Sequence, residues 1–94
     1  MDILWDAEKN EWLKHNRGIS FEEIADSILE KQYHEIIANP ARPEQMCFIM
    51  TFKKYTWAVP FVLDEERRII LKTAFMSIKF HKRYRNKGES DAQS

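Results

Sequence analysis

The sequence predicts an α+β fold: a small antiparallel sheet with two helices ahead of its main strands and one behind them. Three observations carry this. Asp6 and Ser20 each stand at a helix start, with a stop at Gly18 between them. Residues 45–63 alternate in hydropathy at the period of a strand pair. Ser77 then opens a basic segment of helical character. The predicted order is β-α-α-β-β-β-β-α, with residues 1–86 a single domain and 87–94 a flexible polar tail.

Ile3-Leu4-Trp5 reads as a short strand. Asp6 suits a helix N-cap, its carboxylate accepting free backbone amides, and Glu8 complements the dipole in the first turn. That helix runs to about His15, where Asn16-Arg17-Gly18 stops it. Ser20 with Glu23 forms a capping box, and Ile19 with Ile24 fits a hydrophobic staple. Phe21, Ile24, Ala25, Ile28 and Leu29 repeat at the spacing of one buried helix face.

Four strands are predicted next. Tyr33–Ala38 is closed by Asn39-Pro40 and the Pro43 loop. Gln45–Phe52 places Met46, Phe48, Met50 and Phe52 on one face, the pattern of a half-buried strand. Lys53-Lys54-Tyr55 turns the chain into Thr56–Leu63, where Trp57, Val59, Phe61 and Leu63 share a face. Pro60 cannot donate to a ladder, so it marks an edge or a bulge. Asp64-Glu65-Glu66 turns into Arg68–Phe75, and Ser77 caps a last helix through Arg85. The helices are expected on one face of the sheet.

Ninety-four residues with 44% apolar content bound the chain to one core. No apolar run approaches the roughly 20 residues of a membrane span. Met1-Asp2-Ile3-Leu4 lacks the layout of a signal peptide, and the lone Cys47 suits a reducing compartment, so a cytoplasmic location is expected. The net charge of zero hides an asymmetry: residues 1–44 hold ten acids and five Lys/Arg, and residues 45–94 the reverse. Lys79, Lys82, Arg83, Arg85 and Lys87 crowd the end. Such a split is usually a solvated surface, and otherwise a polyanion site.

Trp5-Asp6, Lys9-Asn10, Leu13 and His15, followed by Gly18-Ile19-Ser20-Phe21-Glu22-Glu23, resemble the N-terminal signature of the BrnT family. These are toxins of type II toxin–antitoxin pairs with a RelE-like ribonuclease fold. Val59-Pro60-Phe61-Val62, the acidic turn and Leu71-Lys72-Thr73 resemble a long-loop branch of the same family. The resemblance implies an endoribonuclease that needs neither metal nor other cofactor and inhibits translation. Its partners would be an RNA substrate and a cognate antitoxin, with operator DNA met only through the antitoxin complex and no membrane. Family members usually carry an arginine in the last strand and helix. Here that position falls on Phe75 or Ile78. The alternative implied is a catalytically weak or inactive relative, acting as an antitoxin-bound or nucleic-acid-binding module.

RNA cleavage by 2′-hydroxyl attack needs a base, an acid and cations around the charged phosphorane. The expected catalytic set is His81 for the proton, with Lys72, Lys79 and Arg83 offsetting charge. Lysine supplies only a point charge where arginine offers a bidentate fork. Lys9, His15, Lys82, Tyr84 and Arg85 are the expected substrate contacts, Tyr84 by stacking on a base. The competing reading makes Lys79, Lys82 and Arg83 a solvated helix face anchored by Tyr84. His15 is either a second imidazole or a helix-end residue offsetting the dipole. His34 reads as structural or solvent-facing. Trp5, Trp12 and Trp57, and Met46, Met50 and Met76, are expected in the core. No His/Cys spacing suggests a metal site.

Overall fold

In the computed structural model, which describes residues 2–39 and 41–84, the first strand is β1 (Ile3–Trp5) and the first helix α1 (Ala7–Arg17). The Asp6 carboxylate accepts the Glu8 amide at 3.1 Å, and Gly18 closes the helix at a φ of 66°. A residue there must tolerate the left-handed region, which is where glycine pays no Cβ penalty. The helix therefore runs two residues past the expected His15.

The second helix, α2 (Phe21–Leu29), has the capping box foreseen at Ser20 and Glu23, with both reciprocal bonds formed. Its C-terminus is a Schellman motif: the Lys31 amide donates to the Ile28 carbonyl at 3.0 Å, and Gln32 to Ser27 at 2.8 Å. Lys31 occupies the left-handed position of that motif at φ 58°. A side chain there costs about 1 kcal/mol relative to glycine. Lys31→Gly should accordingly raise the denaturant midpoint by about that stability, with an unchanged slope.

Five further strands follow: β2 (Glu35–Ala38), β3 (Met46–Phe52), β4 (Tyr55–Leu63), β5 (Ile69–Leu71) and β6 (Phe75–Met76). Residues 78–84 form a third helix, α3. The fold is α+β as expected, but the sheet is mixed rather than antiparallel. Its order is β1-β5-β4-β3-β2, with β6 on β4 and with β1 parallel to β5.

The strand expected over Arg68–Phe75 is broken in two, and Pro60 stands at the break. Phe61 faces Leu71 while Ala58 faces Phe75, so three steps along β4 are matched by four on the other chain. That extra residue is a bulge. The Pro60 carbonyl accepts the Lys72 amide at 2.9 Å, so its donor-less nitrogen faces the same gap between β5 and β6. The Arg17 guanidinium, reaching across from α1, donates to the Ala74 carbonyl inside the bulge. Lys72 thus lies just past a strand end rather than on a strand.

Two cores flank the sheet. On one side Leu13, Ile19, Phe21, Ile24 and Ile28 pack against Phe48, Met50, Trp57, Val59, Phe61, Ile69 and Leu71. On the other, Cys47, Ile49 and Ala58 are covered by Phe80 and Tyr84 of α3. This overturns the expectation of helices on one face. The strands β3 and β4 are buried on both faces at their centres, because α3 crosses behind them. Other core expectations also fail: Trp12, Leu29, Met46 and Met76 are exposed. Leu29 is the last residue of its helix and falls outside the packed seam. Trp12 instead meets two cations, with Lys9 at 4.2 Å and Arg17 at 4.7 Å from its ring centroid.

Among the described residues no helix is long and apolar enough to cross a membrane.

Candidate functional site

The β3–β4 hairpin turns on Lys53 and Lys54, with φ of 51° and 73°. A two-residue turn with both φ positive is the tight type that favours Asn-Gly. Two lysines there carry a conformational cost of about 1 kcal/mol each. The turn holds them beside open surface. Lys53 Nζ donates to the Gly18 carbonyl at 2.6 Å, stitching the hairpin to the end of α1.

Docking of α3 fixes the other side of the site. The Ser77 amide donates to the Thr56 carbonyl at 2.9 Å, and the Ser77 hydroxyl accepts from the Phe80 amide as an N-cap. Phe80 and Tyr84, one turn apart, rest on the sheet. The Tyr84 hydroxyl donates to the Glu35 carboxylate, which also pairs with Arg83 at 3.1 Å. Burial, then the Glu35 carboxylate, pushes the Tyr84 phenol above its ordinary pKa. Burial likewise raises the Cys47 thiol beneath it.

Both groups therefore hold protons in the folded state that the unfolded chain releases first. The stability they contribute is complete below their unfolded pKa values and falls as pH rises through the folded ones. Thiol labelling of Cys47 is expected to accelerate above roughly pH 9, beyond the increase set by thiolate fraction alone, as α3 loosens.

Between α3 and the hairpin lies a pocket of about 160 Å³ lined by His34, Thr51, Lys54, Thr56, His81 and Tyr84. The His34 ring stacks on Tyr84 with centroids 4.0 Å apart, and its Nε2 is 2.7 Å from Thr51 Oγ1. The His34 amide donates to the Ile49 carbonyl at 2.7 Å, which fixes the backbone at the start of β2. His81, on the helix above, lies 5.6 Å from the exposed Tyr55 ring. Two imidazoles and an ammonium group thus border one small cavity. That is the donor and acceptor set required for proton transfer beside a charged phosphate.

The pocket continues into a wider surface. Thr56 and His81 also line an apolar notch with Tyr55, Met76, Ser77 and Ile78. Tyr55 and Met76 in turn border a 560 Å³ cleft with Asn16, Arg17, Lys53, Trp57 and Phe75. The result is a run of exposed aromatic and apolar groups with cations at its far end, the composition that suits single-stranded nucleic acid.

Of the described residues expected from sequence, only His81 and Tyr84 line the two-histidine pocket. Tyr84 meets both Glu35 and His34 and so anchors α3. Arg83 is paired with Glu35 and lies over Phe80. Lys79 borders a separate hollow. Lys82 and Lys72 are exposed and line none of these cavities. Lys9 rests on Trp12, and His15 is exposed in the last turn of α1. Because α1 packs on the sheet face opposite α3, neither joins His81. Arg85 lies outside the described residues, as do 86–94 and the expected tail.

Sequence reasoning missed His34, Lys54, Thr51, Arg17, Lys53 and Tyr55. One signal was present, since Lys-Lys-Tyr is an unusual choice for a tight hairpin turn. Comparison with protein-family models, with curated proteins and with solved structures gives no significant match to this chain.

Proposed function

We propose that this chain is an RNA-cleaving toxin of the BrnT type with a RelE-like domain, acting at the pocket between His34 and His81. The observation that carries the proposal is the placement of both imidazoles and Lys54 around one cavity. One imidazole removes the proton from a ribose 2′-hydroxyl as its oxygen bonds to the adjacent phosphorus. The other, protonated, donates to the 5′-oxygen as the P–O5′ bond breaks. Lys54 offsets charge on the phosphorane, and the hydroxyls of Thr51 and Thr56 line the same space. The products are a 2′,3′-cyclic phosphate and a 5′-hydroxyl. Tyr55 and Phe75 offer stacking surfaces for flanking bases, and Arg17 and Lys53 are cations for their phosphates.

A cognate antitoxin would cover the short edge strand β6, where Met76 and the adjacent Ile78 expose apolar surface beside these cations. The assignment to the cytoplasm belongs to the same reading.

A second reading, a nucleic-acid-binding relative without cleavage, is favoured by the pairing of Arg83 with Glu35, which withdraws a cation from the expected catalytic set. Expression of the chain alone separates the two. Growth arrest relieved by the pair His34→Ala and His81→Ala supports the enzyme. Arrest-free expression of a folded chain that binds RNA supports the module.

A further inference from the structure

The sheet face under α3 is incompletely filled. Where the opposite face carries Phe48, Trp57 and Phe61, this one carries Cys47, Ile49 and Ala58. The small side chains between α3 and the 41–45 loop leave a hollow of about 350 Å³. A surface hollow of that size falls within the size range of small-molecule sites.

Its walls are mostly apolar: Ile37, Ile49, Ala58, Phe75 and Phe80, with the Cys47 thiol at 2% exposure. Two of its polar groups are already engaged. Asn39 accepts the Ala41 amide at 3.0 Å, and Ser77 accepts from Phe80. The remaining polar group is Lys79, the one charged residue among the described residues of the lining. Its ammonium lies 5.6 Å from the Phe80 ring centroid, and no carboxylate among the described residues pairs with it.

We infer that this hollow binds a small apolar carboxylate, its hydrocarbon body between Phe75 and Phe80 and its charge on Lys79. An apolar cavity with one cation at its rim is complementary to an apolar body with one anionic end. Neutral apolar ligands lose the charge contact, and hydrophilic anions lose the burial. The inference is independent of RNA chemistry, because Lys79 does not line the two-histidine pocket.

The probes are 2-naphthoate and its uncharged amide, titrated calorimetrically into the full chain. Naphthoate is expected to bind saturably with one site, at least tenfold more tightly than the amide. Lys79→Gln, which removes the charge and leaves the apolar walls intact, should erase that preference. Ala58→Leu, checked for folding by circular dichroism, should weaken both ligands by filling the hollow. Bound naphthoate should also slow alkylation of Cys47. Equal binding of acid and amide to the natural chain, or naphthoate affinity unchanged by Lys79→Gln, overturns the inference. So does an absence of saturable binding, including the case where sedimentation shows a second copy of the chain occupying this face.

Discussion

Replacing His34 by alanine is expected to slow RNA cleavage by at least about 100-fold, the usual contribution of a positioned acid or base. The same loss is expected for His81→Ala. The double variant should be little worse than either single one, because residues that act as a unit are not additive. His34→Ala also removes the stack on Tyr84 and the contact with Thr51 Oγ1, so its thermal unfolding must be followed in parallel. Tyr84→Phe serves as the control for α3 docking. It keeps the ring on His34 while losing the bond to Glu35, and it should alter stability more than cleavage rate. His15→Ala should leave the rate unchanged, since His15 sits on α1, across the sheet from His81.

The largest effect on folding is expected at Phe21. Its side chain has no solvent exposure, lies 5.9 Å from the Trp5 ring and opens α2 against the main core. Phe21→Ala should cost about 3–5 kcal/mol, the range for truncating a buried aromatic. That is a large share of the roughly 5–15 kcal/mol available to a small domain. Chemical denaturation at neutral pH measures it, and a cost below about 1 kcal/mol would contradict the packing described. Phe21 is also held through its backbone: its amide donates to Asn10 Oδ1 at 2.7 Å, while the Asn10 side-chain amide donates to Glu22. Asn10 thus satisfies one of the open amides at the start of α2 from a neighbouring helix. This explains physically why the stretch from Trp5 to Glu23 reads as a unit, since its polar residues tie the two helices together.

The parts legible from sequence were those set by neighbours along the chain. Asp6, Gly18, Ser20 and Glu23 act within one helical turn, and all four perform as expected. The hairpin at Lys53-Lys54 and the helix start at Ser77 are local in the same sense. Pro60 pointed to an edge or a bulge, and a bulge lies in the chain that faces it.

What failed depends on contacts between distant residues. The hydropathy of Cys47, Ile49 and Ala58 does not reveal that α3 covers them, so β3 looked half-buried. The parallel pairing of β1 with β5 joins chain segments far apart in sequence. The two-histidine pocket was hidden for the same reason. His34 precedes a short strand and resembles any exposed polar residue until β2 pairs with β3 and Tyr84 stacks on it. The charge run of α3 drew attention to Lys79, Lys82 and Arg83, none of which lines that pocket. Glu35 claims Arg83 and Tyr84, leaving His81 to face the pocket.

The most direct test of the two-histidine site is end-group analysis of a single-stranded RNA incubated with the purified chain in excess chelator. Fragments ending in 2′,3′-cyclic phosphate with new 5′-hydroxyls are expected, and the same oligonucleotide with 2′-deoxy sugars should survive intact. RNA left uncut by the folded chain, or deoxy oligonucleotide cut equally well, would contradict the account.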